Sequence, residues 1–195
     1  MPIPAQAADT ARPAPDKVTI DVATVNGSGC RAGTAAVNVN SANTAFTVTY
    51  SDYLARAGGD SDTIDMRKNC QINLEVHIPQ GFTYAIAKAD YRGFAHLYPG
   101  AKAVQKAGYY FTGSSTTVRS SHDIAAPTSD NWQYTDVAEG GEVVYKPCGV
   151  DRNFNINSEL RVYAGTDKSK TSFVAMDSTD GSVNTVFHFA WKQCP

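Results

Sequence analysis

The chain has 195 residues, enough to bury one hydrophobic core as a single domain, and only 18% of its residues are charged. With 17 basic and 19 acidic residues its formal charge is −2, which argues against binding to nucleic acid or to an anionic membrane through a basic patch. The sequence contains no apolar run long enough for a transmembrane segment, so none is predicted.

The N-terminal stretch is rich in Pro and Ala and lacks the basic and apolar regions of an intact signal peptide. Its Ala5-Gln6-Ala7 segment matches the small-residue pattern at which export signals are cleaved. We therefore interpret residues 1–17 as a disordered or extended arm, either the remnant of an export signal or a start placed near the mature terminus. Residues 18–195 are predicted to form a β-sandwich domain.

Short strands are predicted along the first third of the chain, because apolar and polar residues alternate there. The predicted strands are centred on residues 18–22, 37–39 and 46–50. The segment Leu54-Ala55-Arg56-Ala57 is predicted to be a helical turn, followed by a polar loop that ends at Asp65.

The clearest periodicity lies between Arg67 and Gly93. Apolar residues from Cys70 to Ile78 fall on one parity and polar residues fall on the other, as in a half-buried strand. Pro79-Gln80-Gly81 interrupts the pattern, and alternation resumes at Phe82. The sequence therefore predicts a strand, a short turn and a returning antiparallel partner.

The remainder of the chain continues with short β-prone segments and turn signals at nearly regular spacing. These segments lie near residues 94–97, 109–111, 116–123, 132–134, 142–145, 154–162 and 183–191. About ten short strands without an amphipathic helix predict an all-β fold, an antiparallel, jelly-roll-like β-sandwich.

Four cysteines, Cys30, Cys70, Cys148 and Cys194, are widely spaced and contain no C-x-x-C pair, so we expect two disulfides in an exported protein. Four cysteines allow three connectivities. We favour Cys30 with Cys70 and Cys148 with Cys194, because this pairing closes loops of moderate length, each contributing about 4 kcal/mol in the chain-entropy model.

Several segments resemble a known family when they are taken together. They are VTIDVATVNGSGC at 18–30, FTVTYSDY at 46–53, RKNCQINLEVHIPQGFTYAI at 67–86, ADYRG at 89–93, MDSTDG at 176–181 and HFAWKQCP at 188–195. They resemble the secreted bacterial and fungal family known as domain of unknown function 4360, over nearly the whole chain. The resemblance implies an exported domain with cysteines and supplies no catalytic residues.

Residues that could act in catalysis or metal binding are scattered along the chain. None of the four histidines lies at metal-ligand spacing, and no serine lies in a G-x-S-x-G motif. Asp177 and Asp180 could contribute oxygen ligands to calcium, although an Asx-type turn explains the same residues. The loop with Asp60, Asp62 and Asp65 has the same two interpretations. No cofactor is predicted.

Aromatic residues are the main candidates for a binding surface. Flat rings stack on sugar faces and anchor protein partners. We select Trp132, Tyr134, Tyr98 and Tyr53, and we expect Trp132 to be partly exposed because Asp130-Asn131 and Gln133 flank it.

The sequence favours a secreted, monomeric, non-catalytic β-sandwich that binds an extracellular polysaccharide or a protein partner. One alternative is a protease inhibitor or an effector directed at a host or competitor, with Pro99-Gly100 or Gly113-Ser114-Ser115 as the exposed loop. Another alternative is a cell-wall glycoside hydrolase, which requires two facing carboxylates across a cleft.

Overall fold

The computed structural model describes residues 13–139, 143–176 and 185–195. Within these ranges the chain forms twelve strands and one short 3-10 helix, Thr63–Met66. The strands are β1 (Thr19–Asn26), β2 (Ala35–Val39), β3 (Ala45–Tyr50), β4 (Leu54–Ala57), β5 (Arg67–His77), β6 (Phe82–Leu97), β7 (Lys102–Phe111), β8 (Val118–Ile124), β9 (Thr128–Val137), β10 (Phe154–Tyr163), β11 (Ser172–Ala175) and β12 (Thr185–Gln193).

The strands form two antiparallel sheets that pack face to face, so the predicted β-sandwich is confirmed. The first sheet has five strands in the order β1-β5-β10-β7-β8. The second has seven strands, six of them in the order β2-β3-β12-β6-β11-β4. The seventh, β9, pairs with β6.

The long strand β6 organises the seven-stranded sheet. Its first half pairs with β12 from Phe82 to Asp90, and its second half pairs with β11 from Phe94 to His96. Because β9 pairs with Lys88–Leu97 and overlaps both partners, β9 lies on the opposite edge of β6. One uninterrupted strand of 16 residues therefore joins three neighbours.

The prediction that the chain returns after Pro79 as a hairpin partner is wrong. β5 pairs with β1 along one edge and with β10 along the other, so no edge remains for β6. The chain crosses instead to the second sheet.

The predicted helical turn at Leu54–Ala57 is also wrong, because this segment is strand β4, paired with β11. Ala55 and Ala57 are buried, whereas Leu54 and Arg56 face outward, which is the alternation of a strand.

The core between the sheets is rich in aromatic rings. Phe46 stacks on Phe187 with ring centroids 5.0 Å apart, and Phe154 of the other sheet meets Phe46 edge to face at 6.2 Å. Tyr84 and Phe111 make a further edge contact at 5.3 Å. The contacts of Phe46 with Phe154 and of Tyr84 with Phe111 join the inner faces of the two sheets.

Both predicted disulfides are confirmed. Cys30 is bonded to Cys70 in β5 with their Cα atoms 5.3 Å apart, and Cys148 is bonded to Cys194 with Cα atoms 5.7 Å apart. The first bridge ties the segment after β1 to the five-stranded sheet, and the second ties the chain after β12 to the segment before β10. Among the described residues, no helix is both long and apolar enough to cross a membrane.

Candidate functional site

Trp132 is buried, so the expectation that it is partly exposed is wrong. Its side chain points between the sheets and only 7% of the residue is accessible. Trp132 is the cross-strand neighbour of Gly93, and the indole ring occupies the space that a side chain at position 93 would fill. Its immediate neighbours Asn131 and Gln133 alternate with it along β9 and face outward, which explains why the local sequence was misleading.

Tyr53 is also removed from the surface, with no accessible area. Its hydroxyl lies 3.2 Å from the hydroxyl of Ser158 in β10, and its ring lies against Gly29. Burial raises the pKa of the Tyr53 phenol well above its ordinary value. Tyr53 therefore acts as a buried link between elements and offers no ring to a ligand.

Tyr134 is half-buried and held on both sides. Its ring stacks on His122 with centroids 4.4 Å apart, and its hydroxyl donates to the carbonyl oxygen of Asp123 at 2.8 Å. Burial raises the pKa of the phenol, with a smaller contribution from Asp123. These contacts join the edges of the two sheets, since Tyr134 belongs to β9 and Asp123 to β8.

Tyr98 lies beside an aromatic group on the outer face of the seven-stranded sheet. Its ring meets His96 edge to face at 4.9 Å, and His96 stacks on Phe173 at 5.7 Å. Phe94 lies 6.0 Å from Phe173, and Leu54 is 39% exposed beside this group. We call these five residues the aromatic patch.

The acidic candidates are only partly described. Asp177 and Asp180 lie outside the described residues. Asp65 accepts hydrogen bonds from Lys68 and Arg56, and these bonds hold the pKa of its carboxyl below the ordinary value. Within the described ranges, no group of three or more metal-ligating side chains occurs.

A polar surface lies on the outer face of the five-stranded sheet. Cross-strand pairing aligns one residue from each strand in a single row. The row contains Asn26, Gln71, Asn157, Gly108 and Arg119. Residues directly opposite one another in a sheet project from the same face, so the row crosses all five strands.

Two adjoining depressions follow this row, with volumes of about 330 and 340 Å³. Both are lined by Gln71, Tyr110 and Asn157, which makes them one continuous groove. We call it the amide trough and define it by the five residues of the row together with Tyr110. Each depression lies at the lower end of the size range of small-molecule sites.

Gly108 forms the floor of the depression of about 330 Å³. A Cβ atom at this position would lie 3.2 Å from the carbonyl oxygen of Val118 and 3.5 Å from Cγ of Arg119. A side chain at position 108 would therefore be crowded, and its absence lets the depression reach the backbone between Lys106 and Tyr110, the outward-facing neighbours of Gly108 along β7.

The wall of the trough beside Tyr110 is held by a chain of amide hydrogen bonds. Asn153 Nδ2 donates to Asn73 Oδ1 at 2.6 Å, and Asn73 Nδ2 donates to Asn155 Oδ1 at 2.7 Å. Asn155 Nδ2 donates in turn to Thr112 Oγ1 at 2.8 Å. In contrast, the side chains of Gln71 and Asn157 form no hydrogen bond with the rest of the described chain, so their amides face the groove without partners.

Glu159 supplies the carboxylate that lines the depression at Gly108. It accepts from Arg67 Nε at 2.6 Å and from Arg161 Nε at 2.5 Å. Burial alone would raise the pKa of Glu159, but the hydrogen bonds from Arg161 and Arg67 outweigh burial and hold that pKa below its ordinary value. The carboxylate is therefore charged and engaged near neutral pH.

None of the trough residues is predicted as a site residue from the sequence. The signal was present in the outward parity of β5 and β10, where Gln71, Asn73, Asn155 and Asn157 alternate with core residues. A polar parity is also typical of any solvated face. Only the pairing of β5 with β10 shows that the amides of both strands lie side by side.

A family model described as "Domain of unknown function (DUF4360)" matches residues 16–194. An uncharacterized secreted protein of Arthroderma benhamiae is 35% identical over 182 residues, which cover 93% of this chain and 74% of that relative. Both findings confirm the resemblance drawn from the sequence segments.

Similarity to solved structures is distant. The cowpea mosaic virus top component gives a TM-score of 0.27 at 11% identity, covering 100% of this chain and 94% of that one. A GH31 α-xylosidase of Xanthomonas citri gives a TM-score of 0.17 at 10% identity, covering 91% of this chain and 19% of that one. Neither similarity supports a functional argument.

Proposed function

Starting from a secreted chain that belongs to the DUF4360 family, we propose that it is a non-catalytic protein that binds an extracellular polysaccharide in the amide trough. The observation that carries this proposal is the row of outward residues across five strands, in which the amides of Gln71 and Asn157 have no partner in the described chain.

The chemistry of the trough suits a polyhydroxylated ligand. Each carboxamide offers two donors and an accepting oxygen, whereas each sugar hydroxyl both donates and accepts, so the two groups are complementary. Tyr110 lines both depressions and supplies an aromatic ring beside these amides. Rings of this kind pack against the apolar faces of sugars.

The shape supports a polymer rather than a single sugar. The row crosses five strands, and four spacings of about 4.8 Å give a length of roughly 19 Å. The two depressions share three lining residues along this length. Because the amide network from Asn153 to Thr112 holds one wall, little side-chain ordering is required there when a ligand binds.

The test compares trough variants with a matched control on the other sheet. Asn157→Ala and Tyr110→Ala each remove one trough side chain. Gln133→Ala removes an exposed amide from the outer face of β9. Pull-down on insoluble chitin, cellulose and peptidoglycan, with affinity electrophoresis on soluble glucans and acidic glycans, measures retention.

We expect at least one polysaccharide to retain the protein. Asn157→Ala should lower its affinity by about five- to tenfold, the equivalent of one lost hydrogen bond, and Tyr110→Ala should lower it by a similar factor through loss of ring packing. Gln133→Ala should bind as the unaltered protein does. If all three variants are retained as strongly as the unaltered protein, the binding site lies elsewhere. No retention on any polymer would overturn the proposal.

A protein partner is the second candidate, and the aromatic patch favours it. Leu54 is 39% exposed, and Phe94, His96 and Phe173 form a contiguous, half-buried ring cluster on the outer face of the second sheet. Aromatic residues are enriched at protein interfaces. If extracellular proteins are captured and Phe173→Ala abolishes the capture while trough variants do not, the interaction role takes precedence.

The hydrolase alternative receives less support from the trough. Among the described residues that line the depression at Gly108, Glu159 is the only carboxylate, and Arg67 and Arg161 bind it. A glycosidase needs a second carboxyl group across the scissile bond. The arrangement therefore suits binding better than acid–base chemistry.

A further inference from the structure

We propose that the amide trough selects an acidic polysaccharide, and that a carboxylate or sulfate group of that polymer sits above Gly108 between Lys106 and Arg119. This inference rests on the proposed function and specifies the chemical class of the ligand.

The first support is the position of the two cations around the glycine. Arg119 of β8 is directly opposite Gly108, and Lys106 precedes Gly108 by two residues on the same face of β7. Lys106 and Arg119 are therefore diagonal neighbours, about 7 Å apart at their Cβ atoms. The missing side chain at Gly108 leaves room for one anionic group to reach both.

The second support is that these two cations are not neutralised. Glu159 lies directly opposite Lys106 across β10 and β7. Its carboxylate is nevertheless directed to Arg67 and Arg161, which it meets at 2.5 Å in each case. In the described part of the chain neither Lys106 nor Arg119 forms an ion pair.

The third support is the positive charge of the depression at Gly108, which is opposite in sign to the charge of the whole protein. Among the described residues, four cationic side chains and one carboxylate line the depression that contains Gly108: Arg67, Lys106, Arg119, Arg161 and Glu159. The whole chain carries a formal charge of −2. A net positive groove on a slightly negative protein concentrates anionic ligands at that groove and repels them elsewhere.

The neutral amides of Asn157 and Gln71 lie beside the cationic end of the trough, where they can bind the sugar hydroxyls next to the anionic group. Asn157 lies opposite Gly108, and Gln71 lies one strand further along the same row. An anionic group bound at Gly108 would place the adjoining sugar hydroxyls over these two amides. Arginine also suits this site, because its planar donors match carboxylate and sulfate oxygens in pairs.

The experiment uses two matched pairs of soluble polymers. Polygalacturonate is compared with its fully methyl-esterified form, and dextran sulfate is compared with dextran. Each polymer is titrated against the unaltered protein, against the double variant Lys106→Gln with Arg119→Gln, and against Arg92→Gln. The last variant removes an exposed arginine from the outer face of the other sheet.

We expect at least one acidic polymer to bind at least tenfold more tightly than its neutral counterpart. The double variant should lose at least tenfold of that affinity, Arg92→Gln should lose less than twofold, and added salt should weaken binding. The polymer pair that shows the difference identifies carboxylate or sulfate as the anionic group.

Equal binding of acidic and neutral forms would overturn the acidic specificity and leave polysaccharide binding intact. The same conclusion follows if a neutral glycan alone binds and Asn157→Ala weakens it. An acidic polymer that binds equally well to the double variant would overturn the assignment to Lys106 and Arg119. If no polymer binds, both this inference and the proposed function are overturned.

Discussion

Gly93 and Trp132 are directly opposite each other on β6 and β9, and the absence of a side chain at Gly93 makes room for the indole ring. The ring is thereby drawn into the core, where the residue is 7% exposed. A Cβ atom at position 93 would collide with the ring and with the carbonyl oxygen of Ala175. The glycine is therefore a packing requirement of the seven-stranded sheet.

Gly93→Ala should lower the free energy of unfolding by about 3 kcal/mol, because one of its two collisions is with the backbone, which cannot rotate away. Denaturant unfolding measures the change. Gly81→Ala is the control, since Gly81 has a φ of 85° and open space around it, so its cost of about 1 kcal/mol reflects backbone strain alone. Equal costs at both sites would contradict the packing argument.

Trp132→Ala should lower stability by roughly 3–5 kcal/mol through the cavity that it creates. Polysaccharide affinity should not change at a temperature where the variant remains folded, because Trp132 faces the core and the trough lies on the opposite sheet. Circular dichroism establishes folding, and affinity electrophoresis measures binding. If a folded Trp132→Ala variant loses binding, Trp132 contributes to the ligand site and the prediction is wrong.

Tyr53→Phe should lower stability by about 1 kcal/mol through loss of the buried contact between its hydroxyl and that of Ser158. A double-mutant cycle with Ser158→Ala should show that the two changes are not additive. Denaturant midpoints of the four proteins provide the coupling energy. Strict additivity would mean that the two hydroxyls do not interact.

Replacing Cys148 and Cys194 with serine should lower stability by about 4 kcal/mol, the chain-entropy value for the sequence separation of 46. The Cys30–Cys70 bridge, with a separation of 40, should have nearly the same effect. Thermal unfolding of each double variant tests this, and intact mass without reduction checks that the remaining bridge is formed. A variant as stable as the parent would show that the removed bridge adds no stability.

Glu159 should make stability depend on acid pH. Its pKa is lowered below the ordinary value of 4.5 in the folded protein, so its contribution is full above that value and is lost as pH falls through the folded pKa. The difference in unfolding free energy between the unaltered protein and Glu159→Gln should be about 1 kcal/mol at pH 7 and should shrink below pH 4.5. A difference that is constant down to pH 3 would contradict this assignment.

The sequence by itself determined the alternation within most strands, the all-β class and the favoured disulfide pairs. These features depend on neighbours along the chain: a period of two tells which residues share a face. The closing of moderate loops favoured Cys30 with Cys70.

The tertiary structure decided which sheet each strand joins and which of two faces is covered. β6 does not pair with β5, because β1 and β10 occupy both edges of β5. The sequence of residues 67–93 does not reveal those partners. Trp132 is buried because Gly93 lies opposite it, and the amides of Gln71 and Asn157 meet because β5 pairs with β10. Hydrogen bonds between distant strands set these relationships, so the period of a single strand cannot encode them.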